Sequence, residues 1–120
     1  HVDPRHEVVI VATAGSGDDE IIIGSGRYVV TSAGGPSTTA EVAFAVEEDH
    51  HGLGIAGRLL QSLVQVARAR GITTFEADVL SGNPSMLRVF ERSGLPMRKR
   101  SEGGTVHLEL ALVPATGTAR

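Results

Sequence analysis

The chain has 120 residues, the length of one domain, and is 41% hydrophobic, enough to withdraw roughly two-thirds of its extended-chain surface from water. It contains no cysteine, which excludes disulfides and thiolate zinc sites. A net charge of −3, with one Tyr, three Phe and no Trp, lacks both the basic excess and the stacking platforms that nucleic-acid binding needs.

The first patterned segment is Val8-Val9-Ile10-Val11-Ala12, β-branched and apolar throughout, as in a strand covered on both faces. No uninterrupted apolar run in the chain is longer, and it is far too short to span a membrane. With no basic-then-apolar leader, the chain reads as soluble and cytoplasmic. Ala14 to Asp19 is a turn, and Ile21-Ile22-Ile23 opens a second strand to about Val30, with a bulge expected at Gly24-Ser25-Gly26. Glu41 to Val46 then alternates. Val42, Phe44 and Val46 share one face, while Glu41, Ala43 and Ala45 share the other, which is small enough for something to fit against it.

From Ile55 to Arg70 the period becomes helical, with Ile55, Leu59, Leu63, Val66 and Ala67 as the apolar stripe and Gly71 as the stop. Thr73 to Leu80 reads as a strand with Phe75, Ala77 and Val79 on one face. Asn83-Pro84 is a helix start, cap then proline, for a short helix ended by Gly94. A short strand is expected over 96–100, and Thr105 to Leu112 alternates with Val106, Leu108, Leu110 and Leu112 inward. The order β-β-β-α-β-α-β-β predicts an α/β (α+β) domain with a mixed, mostly antiparallel sheet and two helices.

The stretch with the most chemical content is Val46 to Gly57, where a strand ends and a glycine-rich turn, His51-Gly52-Leu53-Gly54, opens the long helix. Glycines let the backbone approach a ligand closely, and the first helical N–H groups and the dipole favour an anion. The same glycines are equally compatible with a tight strand-to-helix turn. The turn has neither the Lys-Ser/Thr end of a P-loop nor the third glycine of a dinucleotide fingerprint. Asn83 read alone is a helix cap, and Glu41 read alone is an exposed strand glutamate. His50-His51 beside Asp49 does not make a metal site, because adjacent histidines on a turn seldom converge on one ion. His107 reads as an exposed residue of the last strand.

Two motifs carry a resemblance to the GNAT acetyltransferase family. His51-x-x-Gly54-x-Ala56 resembles that family's Arg/Gln-x-x-Gly-x-Gly/Ala signature before its long helix. Asn83-Pro-Ser-Met-Leu-Arg-Val-Phe-Glu-Arg-Ser-Gly94-Leu resembles its second signature, in the same order and with one strand between. The resemblance runs from about Val8 to Leu112. It implies an acetyl-coenzyme A cosubstrate and no metal. Main-chain groups of Phe44, Ala45 and Val46 would meet the pantetheine arm, amides of His51, Gly52, Leu53, Gly54, Ile55, Ala56 and Gly57 would hold the diphosphate, and Asn83 would bond the arm near the thioester.

The stretch Ala40 to Val46 resembles the corresponding strand in bacterial protein-lysine acetyltransferases of the Pat type, which implies Glu41 as general base. A lysine ammonium, with a pKa near 10.4, must lose a proton before it can attack a thioester, and a carboxylate can take it. Two departures stand out. His51 replaces an Arg or Gln, and Phe90 stands where many relatives have a tyrosine that protonates the leaving thiolate. Three readings follow: an N-acetyltransferase acting on a protein lysine, one acting on a small amine, and a non-catalytic acyl-coenzyme A–binding regulatory module. The family's first strand and two helices have no counterpart ahead of Val8. Residues 1–120 therefore read as a single domain cut from a larger, fused protein, or one that completes its acceptor wall in a homo-oligomer.

Overall fold

A computed structural model of the protein describes residues 6–33, 37–47 and 54–112. Its elements are β1 (Glu7–Ala14), a 3₁₀ turn (Gly17–Asp19), β2 (Ile21–Ser32), β3 (Thr39–Val46), α1 (Ile55–Ala69), β4 (Thr74–Leu80), α2 (Pro84–Glu91), β5 (Met97–Glu102) and β6 (Thr105–Ala111). The expected order holds. The six strands form one sheet in the order β1-β2-β3-β4-β6-β5. Every neighbouring pair is antiparallel except β3 and β4, which the α1 crossover joins in parallel.

The helix-side face of the sheet carries the core. Tyr28, Phe75, Phe90, Leu60, Leu63, Leu108, Leu110 and Leu112 are its largest fully buried side chains. Each such Leu or Phe contributes about 2 kcal/mol of transfer free energy. The stripe of α1 is wider than its sequence predicts: Leu60 and Val64 are buried beside Leu59, Leu63 and Ala67. They flank the groove toward α2 as well as the sheet. Gly71, at φ +82°, ends α1 as expected, with the Ile72 amide donating back to the Ala67 carbonyl at 3.0 Å.

Glycine in β2 is required by close packing. A Cβ on Gly26 would lie 2.8 Å from the Phe44 ring and 3.2 Å from Leu63, so a side chain there would push α1 off the sheet. The irregularity of β2 falls one residue before the glycine pair: Ala12 faces Gly24 and Thr13 faces Ile22, which leaves Ile23 without a partner on β1. The expectation for β1 needs correction. Val8 and Ile10 pack on the core, but Val9 and Val11 on the other face are 55% and 51% exposed, so only one face of this edge strand is covered among the described residues.

Tyr28 lies wholly inside, its ring 5.6 Å from that of Phe75. Its hydroxyl is buried, and the Arg70 guanidinium acts on it. Burial pushes the phenol above its ordinary 10.0, and Arg70 offsets part of that rise. The folded protein therefore keeps this proton to higher pH than the unfolded chain. Stability should fall as pH rises past about 10, where only the unfolded chain ionises. Urea titrations at pH 8 and pH 10.5 should show that loss in the wild type and a smaller one in Tyr28→Phe; equal losses would contradict it.

Candidate functional site

The site begins where β3 and β4 part. Their parallel pairing covers only Thr39–Thr74, Ala40–Phe75 and Glu41–Glu76. Beyond it, β3 stays paired with β2 as far as Val46, and β4 stays paired with β6 as far as Leu80. The two strands diverge as a wedge, and one backbone edge of Val42–Ala45 faces one edge of Ala77–Leu80 with no strand pairing between them. A cleft of about 200 Å³ fills the gap, lined by Val42, Ala43, Phe44, Ala77, Asp78, Val79, Leu80, Asn83, Met86 and Phe90. Phe90 reaches its floor from α2, its ring 5.9 Å from that of Phe44.

A second cavity, about 710 Å³, runs from the start of α1 along the groove between α1 and α2. Gly54, Ile55, Ala56 and Gly57 line one end; Gln61, Gln65, Arg68, Ser85, Arg88 and Arg92 line the rest, with no carboxylate among the described residues that line it. The two cavities share Asn83 and Met86 as lining residues and so adjoin at the start of α2. Gly54 is the N-cap of α1, at φ +77° in the left-handed region that glycine enters without strain. The Gly54 carbonyl accepts from Arg58 at 3.1 Å, so the amides of Ile55, Ala56 and Gly57 are the first-turn donors that the helix itself does not use. No acidic residue lies in that first turn to compete for them.

The sequence-predicted residues are placed as follows. Gly54, Ile55, Ala56, Gly57 and Val46 line the larger cavity, Phe44 lines the wedge, and Asn83 lines both. Ala45 lies on the same β3 edge, on the exposed face. Glu41 sits at the closed end of the wedge, on the sheet face away from the helices, with Glu76 as its partner. His51, Gly52 and Leu53 lie outside the described residues, as does His50.

Asn83 is a cap as well as a wall. Its Oδ1 accepts from the Met86 amide at 3.2 Å, which leaves its side-chain NH₂ to donate elsewhere. His107 needs correction: it is not simply exposed but hydrogen-bonds Asp78 across β4 and β6, at 2.7 Å. Asp78, Arg88 and Arg92 were not singled out by sequence. The two arginines stand one turn apart on α2, a spacing that could have suggested a shared face. Among the described residues no group of His, Asp and Glu is placed to hold a metal ion, and no helix is long and apolar enough to cross a membrane.

Comparison with known proteins adds three findings. A sequence profile of the Acetyltransferase (GNAT) family matches residues 2–95. Acetyltransferase Pat from Mycolicibacterium smegmatis is 34% identical over 93 residues, covering 78% of this chain and 27% of that protein. Among solved structures, the GNAT domain of S. lividans PAT is 38% identical with a TM-score of 0.77, covering 92% of this chain and 64% of that one. A cAMP-binding acyltransferase from Mycobacterium smegmatis is 33% identical with a TM-score of 0.75, covering 94% of this chain and 33% of the other. The chain thus spans little more than a quarter of Pat and under two-thirds of the S. lividans domain.

The double placement of Asn83 gives a direct test of its cap role. Asn83→Ala should lose about 1 kcal/mol of stability, whereas Asn83→Asp, which keeps the acceptor oxygen, should lose much less. Thermal unfolding checks it; equal midpoints for Asn83→Ala and wild type would remove the cap from the account.

Proposed function

The chain belongs to the acetyltransferase (GNAT) family, and on that premise we propose that it transfers an acetyl group from acetyl-coenzyme A to an amine, with a protein lysine as acceptor. One observation carries the reading. The wedge between β3 and β4 leaves unpaired backbone edges beside Glu41, and the groove that adjoins it has the first-turn amides of α1 at one end and arginines along it.

Coenzyme A matches this path part for part. Its pantetheine arm carries amides that can pair with the open β3 edge at Phe44 and Ala45 as an added strand would, and Asn83 can donate to one of its carbonyls. Its diphosphate suits the first-turn amides of α1, where the helix dipole favours negative charge. Its nucleotide phosphate suits the groove that holds Arg68, Arg88 and Arg92. With the arm so seated, the thioester reaches the closed end of the wedge, near Glu41.

Glu41 then acts as the base. It takes a proton from the acceptor ammonium, the neutral nitrogen attacks the thioester carbon, and a backbone N–H of the β3 edge stabilises the oxyanion. The protein-lysine acceptor is supported by the likeness to Pat and by the acidic side chains beside the wedge. Phe90 favours a second reading, an acyl-coenzyme A–binding module, because a phenyl ring has no proton to give a leaving thiolate.

Two variants test the reading. Gly54→Ala places a side chain on left-handed backbone where the diphosphate is to sit; no atom of the other described residues lies within 4 Å of its Cβ, so the fold should survive. Calorimetry should show coenzyme A affinity reduced at least about tenfold, equivalent to about 1.4 kcal/mol. Unchanged affinity in the folded variant removes the diphosphate from this turn.

Glu41→Gln keeps the shape and loses the base. Transfer, followed by mass spectrometry of the acceptor, should fall by about two to four orders of magnitude while coenzyme A affinity holds. Raising the pH should partly restore the rate, since more acceptor amine is then neutral. A variant as fast as wild type at neutral pH rules out Glu41 as base, and a wild type that binds acetyl-coenzyme A without transfer establishes the module.

A further inference from the structure

The face of the sheet away from the helices holds a side-chain pair that the mechanism above does not use. On β4, Phe75, Ala77 and Val79 are buried in the core, so Glu76, Asp78 and Leu80 project from the opposite face. On β6, Val106, Leu108 and Leu110 are buried, so His107 and Glu109 project with them. Asp78 and His107 are register partners, and the His107 Nδ1–H donates to Asp78 Oδ1 at 2.7 Å. The side chains are 54% and 31% exposed, so the pair remains open to an incoming molecule.

Its position relative to the wedge is specific. Glu41 and Glu76 mark the last rung before β3 and β4 part, and Asp78 is the next residue beyond Glu76 on the same face. Asp78 lines the wedge itself, whereas His107 stands behind it on β6. Across the wedge from Asp78 lies Ala43, whose methyl leaves room between the strands. The charged neighbours facing the pair are Glu76 on β4, Glu109 on β6, and Arg100 and Arg98 on β5, where Arg100 partners His107 and Arg98 partners Glu109.

Amide formation from an ammonium releases two protons from the nitrogen, and one carboxylate accounts for only the first. The departing sulfur also needs a proton, and Phe90 has none to give. Resting on the acetyltransferase reading above, we propose that Asp78 is the second proton carrier of the reaction and that His107 is its positioning residue.

As the tetrahedral adduct collapses, the C–S bond breaks and sulfur leaves with the electron pair. The carbonyl re-forms, and the remaining excess proton on nitrogen passes to Asp78, its bonding pair staying on nitrogen as the neutral amide. Asp78 then gives that proton to the thiolate, yielding the free thiol and restoring the carboxylate. His107 holds the Asp78 oxygen at the wedge by its Nδ1–H and leaves the other oxygen free for the transfer. Before attack, the same carboxylate attracts the acceptor's ammonium, which favours a cationic alkylamine over a neutral one.

The test uses the whole chain, acetyl-coenzyme A, and Nα-acetyl-lysine methylamide as the acceptor probe. Asp78→Asn, a near-isosteric change on an exposed face, should lower kcat by about a hundredfold while coenzyme A affinity stays within about twofold of wild type. Asp78→Ser, a second variant against local misfolding, should behave alike. His107→Ala should lower kcat by about tenfold, and His107→Gln, which retains a side-chain N–H, should recover part of that loss. The double variant Asp78→Asn/His107→Ala should be no slower than Asp78→Asn alone, because His107 acts only through Asp78.

Asp78→Asn with wild-type kcat, in parallel with a slow Glu41→Gln, overturns the proton carrier and leaves the base in place. A fast Glu41→Gln beside a slow Asp78→Asn makes Asp78 the principal base and sinks the assignment of Glu41. A wild type that binds acetyl-coenzyme A but acetylates nothing overturns the acetyltransferase reading, and the second carrier with it.

Discussion

Everything about the site follows from the early end of the parallel pairing between β3 and β4. Three residue pairs hold the strands together, and then each strand remains committed to its outer neighbour, β3 to β2 and β4 to β6. Beyond Glu41 and Glu76 the two strands splay, and the inner edges that would have paired are left without a strand partner. Phe90 and Phe44 occupy the space beneath the opening, so the core stays closed while the backbone edges above it stay open. Backbone polar groups left without partners are costly when dry, and an extended ligand bearing amides can relieve that cost. The fold thereby makes its own template for an added strand.

Charge divides the two sides of that opening. The chain as a whole is acidic, at −3, yet α1 contains no carboxylate and the groove it shares with α2 is lined by Arg68, Arg88 and Arg92. On the far face Glu41, Glu76, Asp78 and Glu109 gather about the wedge, with Arg98 and Arg100 beyond them on β5. On the proposed reading, a polyanionic donor comes from the helix side and a cationic acceptor from the other. Screening over about 8 Å at physiological ionic strength keeps these two fields largely separate.

Much of this was legible in the sequence because it is signalled locally. Gly71, Asn83-Pro84 and Gly94 punctuate the helices, and the alternation of Thr73–Leu80 and Thr105–Leu112 assigns their buried faces correctly. The family likeness was legible from two motifs whose spacing reflects one helix start each. Strand register was not. Asp78 and His107 lie 29 residues apart, and only the pairing of β4 with β6 brings them together. Nor does an apolar run report how many of its faces are covered, which is why Val9 and Val11 were expected inside. The unpaired Ile23 was displaced by one residue from the glycines that drew attention to it, because those glycines serve the close approach of Phe44 and α1. Arg88 and Arg92 drew no attention, since the groove they line exists only after both helices dock.

The central claim is that the wedge and the α1–α2 groove are one binding path for coenzyme A. Backbone-amide NMR of the isotopically labelled chain, titrated with coenzyme A to saturation, tests it directly. The account predicts the largest shift changes at Phe44 and Ala45, at Ile55 to Gly57, and at Asn83, Arg88 and Arg92, with β1 and the 3₁₀ turn unmoved. Saturation with no change along β3 and the start of α1, or with changes confined to other surfaces, would contradict it.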